Sequence, residues 1–191
     1  MKKLLQDTSG LTLLELLVAV SLFTIVMVIS TSMFLGAVDT QSRSVSSKTL
    51  QESLGYAASF MTAETTGALK DPTICNGSCV SADDFFCSLA GDTQLVFRNA
   101  EGVCILYEIE EDNSIPRLKV TRDPFDGASV SDYLTPSSVR LTDLAFNAGS
   151  ANDGVDYIGS LTFALTGENA SRAPYSDSLK LQTSIAVGPA N

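Results

Sequence analysis

Glu15 is the residue whose type and position most clearly indicate a functional role. It is the only charged side chain between Leu11 and Val38, a stretch that is otherwise apolar or weakly polar. A lone carboxylate near the start of a membrane helix costs on the order of 2–3 kcal/mol when it is unpaired at depth. An ionisable group in such a segment is therefore a functional hypothesis by default, and it needs a cation as its partner.

The sequence contains four disulfide candidates: Cys75, Cys79, Cys87 and Cys104. All four lie beyond the apolar stretch, on the predicted outer side of the membrane, where disulfides persist. Of the three possible pairings, we favour Cys75–Cys79 with Cys87–Cys104, because turn residues separate the first pair. The second bridge would contribute about 3 kcal/mol in the chain-entropy view. Cys75–Cys87 with Cys79–Cys104 is a close rival. The spacings do not form two short zinc knuckles, so a zinc site is disfavoured.

Other residue types argue against an enzyme. The chain has 191 residues and no His, which excludes Ser-His-Asp and Cys-His catalysis and zinc sites that need imidazole. Paired carboxylates could perform acid–base chemistry, but no nucleophile elbow, phosphate loop or pocket pattern accompanies them. We therefore predict no catalytic residue and no cofactor.

Charge excludes another class of function. With 12 Lys and Arg against 22 Asp and Glu, the formal net charge is −10, so no basic field exists to bind nucleic acid and no direct contact with it is expected. Acidic runs at Glu108–Asp112, Asp123–Gly127 and Asp153–Asp156 could offer oxygens to calcium. None matches the EF-hand loop, so we expect solvated turns and predict no metal site.

The stretch from Leu11 to Val38 is long enough to cross a membrane. Its 28 residues would form a helix of about 42 Å, whereas a bilayer core needs roughly 20 apolar residues. Lys2 and Lys3 precede it, which predicts a short arm inside and the body outside. The run is too long for a secretory signal, and the small residues Ser9-Gly10 precede it instead of following it.

The segment from Gly10 to Ala19 resembles the class III signal of type IV prepilins and type II secretion pseudopilins. That pattern is a Gly, a hydrophobic residue and Thr-Leu, with Glu five residues after the Gly at the start of a long apolar helix. The resemblance implies that a membrane peptidase cuts between Gly10 and Leu11 and methylates the new amine. It also implies that Glu15 meets the N-terminal amine of a neighbouring subunit. Leu11 departs from this pattern, because the family usually has Phe at the position after the Gly.

Helical spacing continues beyond the apolar stretch. Leu50, Leu54, Ala57, Met61 and Ala68 form an apolar stripe, which predicts one helix from Thr12 to about Leu69 whose second half packs on a head. Asp71-Pro72 ends this helix.

After Pro72, alternating apolar residues and turn residues predict strands at 93–98, 103–108, 117–122, 139–147, 159–165 and 179–187. The segment from Asn99 to Gly102 predicts a tight hairpin. A helix followed by consecutive strands indicates an α+β fold, with the helix covering one face of an antiparallel sheet. The resemblance implies the same pilin-like head.

We therefore expect four segments along the chain. Residues 1–10 form a leader peptide, and residues 11–38 form a transmembrane and polymerisation helix. Residues 39–71 form an amphipathic helix continuing into the head, and residues 72–191 form a disulfide-bearing, β-rich globular head.

The resemblance implies a minor pilin or pseudopilin that assembles into, or primes the tip of, a type IV pilus or type II secretion pseudopilus. The stretch from Leu13 to Ala19, the long head and the Pro-free span look like J-type pseudopilins and PilW-like minor pilins. Implied partners are the prepilin peptidase, other pilins or pseudopilins bound through the N-terminal helix, the assembly machinery and the membrane. The implied location is the cytoplasmic (inner) membrane, with a single pass and the head outside, and then the assembled fibre. The alternative is a single-pass anchored binding domain that does not polymerise, which would need neither Gly10 nor Glu15.

Overall fold

The computed structural model describes residues 12–71, 75, 85–89, 92–124, 129–152, 157–170 and 178–187. The chain divides into two compact units, Met1–Val45 and Ser46–Asn191. One helix, α1, covers Leu13–Thr66. The strands that follow are β1 (Phe86–Leu89), β2 (Gln94–Arg98), β3 (Cys104–Asp112), β4 (Ile115–Arg122), β5 (Val130–Tyr133), β6 (Val139–Asn152), β7 (Tyr157–Asn169) and β8 (Ser178–Val187).

Helix α1 begins within one residue of its predicted start, and its 54 residues contain no Pro, but it ends at Thr66 and not at the predicted Leu69 or at Asp71-Pro72. It ends at Thr66 because the chain turns at Gly67, where the N–H of Ala68 donates to the carbonyl of Thr65 at 3.1 Å. The N–H of Leu69 donates to the carbonyl of Arg98 at 2.8 Å. The segment after the helix therefore pairs with β2 instead of adding another helical turn.

The strands form two antiparallel sheets, one ordered β1-β2-β3-β4-β5 and the other β6-β7-β8. The α+β class is confirmed, but the strands form two sheets where a single one was predicted. Alternation identifies a strand and says nothing about which neighbour it pairs with. Strands β1 and β5 were not predicted, since each has only four residues, too few for a clear alternating pattern.

The core of the second unit forms around the predicted helical stripe, all of whose residues are buried. One apolar cluster joins this stripe to both sheets, through Phe97, Tyr107, Phe146 and Phe163 among others. Fully burying side chains of this size contributes about 1.5–3 kcal/mol each. Packing against two sheets, and not intrinsic propensity, therefore stabilises this part of α1.

A partly buried polar contact ties α1 to the first sheet. The hydroxyl of Tyr107 donates to Oε2 of Glu64 at 2.6 Å, and the guanidinium of Arg122 bonds to Oε1 of the same carboxylate. Burial, together with the hydrogen bond to Glu64, raises the pKa of Tyr107 far above its usual value. Tyr107 therefore remains a protonated donor, and both carboxylate oxygens of Glu64 are satisfied.

The predicted hairpin between β2 and β3 is present. The N–H of Asn99 donates to the carbonyl of Val103 at 2.9 Å, and the Asn99 side chain accepts from the N–H of Val103 at 2.9 Å. Gly102 has a φ of 81°, a conformation that costs glycine little. The hairpin places Arg98 opposite Cys104.

Cys75 is bonded to Cys104, with their Cα atoms 5.6 Å apart. Both pairings considered from the sequence are therefore wrong, because each assigned Cys75 and Cys104 to other partners. Cys87 is also disulfide-bonded, while Cys79 lies outside the described residues.

The Asp71 carboxylate explains how two cysteines separated by 29 positions meet. Its Oδ2 accepts from Nε of Arg98 at 2.7 Å and from the N–H of Cys75 at 3.3 Å. Because the hairpin places Cys104 opposite Arg98, this shared contact brings Cys75 beside the start of β3. Turn residues near Cys75 favour a short loop, but the register of distant strands decides the pairing.

Gly159 in β7 lies too close to Phe85 for a larger residue. A Cβ at this position would lie 2.7 Å from Cδ2 of Phe85. We expect Gly159→Ala to lower the free energy of unfolding by about 1–3 kcal/mol, because a close-packed core resists added atoms. Denaturant unfolding of the full chain in detergent, followed by circular dichroism, measures the change.

Gly55→Ala in α1 is the matched control. A Cβ at Gly55 meets no atom within 4 Å, so this change should raise the free energy of unfolding by about 0.5–1 kcal/mol. Equal stability of the two variants would contradict the close contact between Gly159 and Phe85.

Candidate functional site

Thr12 caps the start of α1. The N–H of Leu16 donates to the carbonyl of Thr12 at 3.2 Å, and the N–H of Glu15 donates to Oγ1 of Thr12 at 3.3 Å. The hydroxyl of Thr12 thereby satisfies one of the N–H groups that the helix itself leaves unpaired. The cap therefore fixes the first turn, with Glu15 as its third residue.

The carboxylate of Glu15 is exposed at this first turn, where it is the only acidic group. Within the part of the chain that the structure describes, it has neither an ion pair nor a hydrogen bond. The helix N-terminus offers roughly half a positive charge, which favours a carboxylate without neutralising it. The site can therefore accept one full cation from outside α1.

The first part of α1 presents apolar side chains in every direction. None of residues 12–41 is buried. Helix α1 contains a window with a mean hydropathy of 2.5, so among the described residues it is the helix that is long and apolar enough to cross a membrane. A helix that is apolar all round is stable in lipid or against other apolar helices. This surface therefore needs one of those two environments.

Hydroxyl groups within the apolar stretch find partners inside α1. Four of them donate to a backbone carbonyl three or four residues earlier, at 2.6 to 3.0 Å: those of Ser21, Thr24, Thr31 and Ser32. Such bonds let hydroxyls enter lipid without an outside partner. Glu15 is the charged group among the described residues of this stretch, and its carboxylate needs a partner from outside α1.

The acidic run Glu108–Asp112 lies in β3 and is neutralised across the hairpin with β4. Nζ of Lys119 lies 4.0 Å from Oε1 of Glu108 and also contacts Glu110, while Arg117 pairs with Asp112. The hydrogen bond to Glu110 raises the pKa of Lys119. These ion pairs engage Glu108, Glu110 and Asp112, and the run lies in a strand and not in the solvated turn that we expected.

The other acidic runs leave less to describe. Residues 125–127 of Asp123–Gly127, and all of Asp153–Asp156, lie outside the described residues. Among the residues with a described position, no three potential ligands from His, Cys, Asp and Glu come together to hold a metal ion.

The predicted processing residues, Gly10 and Leu11, lie outside the described residues. The predicted assembly residue, Glu15, occupies the first turn of α1. The capping role of Thr12 was not predicted from the sequence. The pattern Thr-x-x-Glu before an apolar run was the signal that could have identified it.

Comparison with known proteins identifies this region. Residues 6–31 match the prokaryotic N-terminal methylation motif. No curated protein and no solved structure matches the chain. The motif supports a precursor of the type IV pilin and pseudopilin family, and it points to a structural subunit. It implies processing by a prepilin peptidase and assembly with other pilins, and it fits an inner-membrane anchor.

Proposed function

We propose that this protein is a minor pilin or pseudopilin that polymerises through its N-terminal helix. The observation that carries the proposal is the unpaired Glu15 carboxylate on the capped first turn of an all-round apolar helix. The match of residues 6–31 to the methylation motif supports the same proposal. In this proposal the chain has no catalytic activity of its own.

Cleavage between Gly10 and Leu11 would supply the missing cation. It removes Lys2 and Lys3 and creates an amine on Leu11, directly before the cap residue Thr12. A methylated secondary amine stays positively charged, so it can pair with a carboxylate. The new charge then lies four residues from Glu15, about 6 Å along a helix axis.

Assembly pairs this amine with Glu15 of the neighbouring subunit. Two opposite charges that meet in lipid cost less than two isolated ones. Apolar side chains of adjacent helices replace lipid contacts at the same time, so close packing contributes as subunits join. The chain therefore carries both halves of the electrostatic contact, one of them exposed only by proteolysis.

The remaining parts follow from this role. Residues 1–10 are the leader, residues 11–38 the membrane and polymerisation segment, residues 39–71 the amphipathic helical segment, and residues 72–191 the globular head. The subunit passes once through the inner membrane with its head outside the cytoplasm, and assembly machinery moves it into the fibre. The pattern from Leu13 to Ala19 favours a J-type or PilW-like subunit.

Mass spectrometry of the mature N-terminus tests the proposal. Chain isolated from cells with an active prepilin peptidase should begin at Leu11 and carry one methyl group on its amine. The same cells without the peptidase should keep Met1, which serves as the control. An intact Met1 in the peptidase-positive cells would overturn the proposal and leave a single-pass anchored module.

A further inference from the structure

The two sheets of the second unit expose their edges very unequally. The edge strands of the first sheet, β1 and β5, have only four residues each. At the β6 edge of the second sheet, the N–H of Phe146 donates to the carbonyl of Asp92 at 2.7 Å. The remaining edge is β8, which has ten residues and no further strand beyond it in the described part of the chain.

Strand β8 lacks most features by which proteins protect an open edge. Its register with β7 is continuous from Gly159–Val187 to Glu168–Ser178, without a bulge. It contains no Pro, and Lys180 is its single charge. A long, regular edge presents a row of backbone N–H and C=O groups that can pair with another strand.

We propose that β8 pairs antiparallel with β8 of a second copy of this chain, around a two-fold axis at Thr183. In this register Leu181 faces Ile185, and Leu179 faces Val187, of the other copy. The half-buried apolar row of each strand thereby continues into the other. On the exposed row, Gln182 faces Ser184.

Side-chain alternation and charge both favour β8 of a second copy as the partner strand. A shift by one residue would place the polar row opposite the apolar row, which disfavours that register. The two copies of Lys180 would each face Ala186 and lie about 20 Å apart, beyond the screening length at physiological salt. The whole chain carries a net charge of −10, whereas β8 carries one positive charge and no negative one. Two acidic chains therefore meet here with little local repulsion.

The pairing would join the two three-stranded sheets into one sheet of six strands. A two-fold contact of this kind is closed, so it produces a dimer and not a fibre. The inference does not rest on the proposed function, because it needs neither leader cleavage nor Glu15.

Cysteine cross-linking of the full chain in native membranes tests the register. The cysteines of the described residues are all disulfide-bonded, so Thr183→Cys adds a thiol at the proposed axis. A copper(II) oxidant should convert Thr183→Cys to a disulfide-linked dimer, since opposite Cβ atoms lie about 4.5–5.5 Å apart. Ala186→Cys is the control on the same strand, and its two thiols would lie about 20 Å apart. Equal cross-linking of both variants, or capture of a different protein by Thr183→Cys, would overturn the proposal.

A charge pair tests the same contact without cysteine. Because positions 182 and 184 face each other across the axis, the double variant Q182K/S184K places like charges opposite each other twice. We expect it to lower the dimer–monomer equilibrium about three- to tenfold. The double variant Q182K/S184E creates two opposite-charge pairs and should restore or exceed the wild-type dimer fraction. Both variants change the exposed row and lose the same Ser184 bond to Thr162, so unchanged association in both would contradict this register.

Discussion

Replacing Glu15 by Gln is expected to reduce incorporation into assembled fibres at least about tenfold, while insertion into the membrane is unchanged. The exchange keeps the size of the side chain and removes its charge. The amine on Leu11 of a neighbouring subunit would then enter the assembly without its counter-charge, and an unpaired charge in lipid costs on the order of 2–3 kcal/mol. Each 1.4 kcal/mol is about a factor of ten in an equilibrium constant. Immunoblots of the sheared-fibre and membrane fractions measure the ratio.

Two further variants isolate the role of this carboxylate. Glu15→Asp retains a negative charge and should retain more incorporation than Glu15→Gln. Glu52→Gln changes an exposed carboxylate that pairs with Lys48 at 3.6 Å, outside the apolar stretch, and should assemble normally. If Glu15→Gln assembles as well as the wild type, charge pairing is not what joins the subunits, even if leader cleavage occurs.

Removing the Cys75–Cys104 disulfide should produce the largest loss of stability in the second unit. The bond closes a loop across a sequence separation of 29, for which the chain-entropy relation predicts about 3.6 kcal/mol. We expect the double variant C75A/C104A to lose about 3–4 kcal/mol of unfolding free energy, since Ala leaves neither an unpaired thiol nor a buried hydroxyl. Denaturant unfolding of the full chain in detergent measures this loss.

Peptide mapping separates this disulfide from the alternatives. A non-reducing digest of the wild-type chain should yield one peptide pair that joins Cys75 to Cys104. Recovery of a Cys87–Cys104 pair would refute the bond and restore the arrangement that turn residues favour. Ser59→Ala, on the exposed face of α1, is the stability control and should stay within about 0.5 kcal/mol of the wild type.

Local patterns account for most of what could be predicted. Helix α1 and the hairpin at Asn99 depend on residues within a few positions of one another, so periodicity and turn chemistry identify them. The core stripe of α1 was predictable for the same reason. The short strands β1 and β5 were not, because four residues are too few to establish a period.

The amino-acid sequence alone determined that this chain contains an apolar helical stretch bearing one carboxylate, because composition and spacing along a single segment are sufficient for that conclusion. Only the tertiary structure decided the division into two sheets, the partner of Cys75, and the contact of Glu64 with Tyr107 and Arg122. The disulfide and the contacts of Glu64 with Tyr107 and with Arg122 join residues that are 29, 43 and 58 positions apart. Contacts over such distances depend on strand register and packing, which leave no pattern in any short window of the chain.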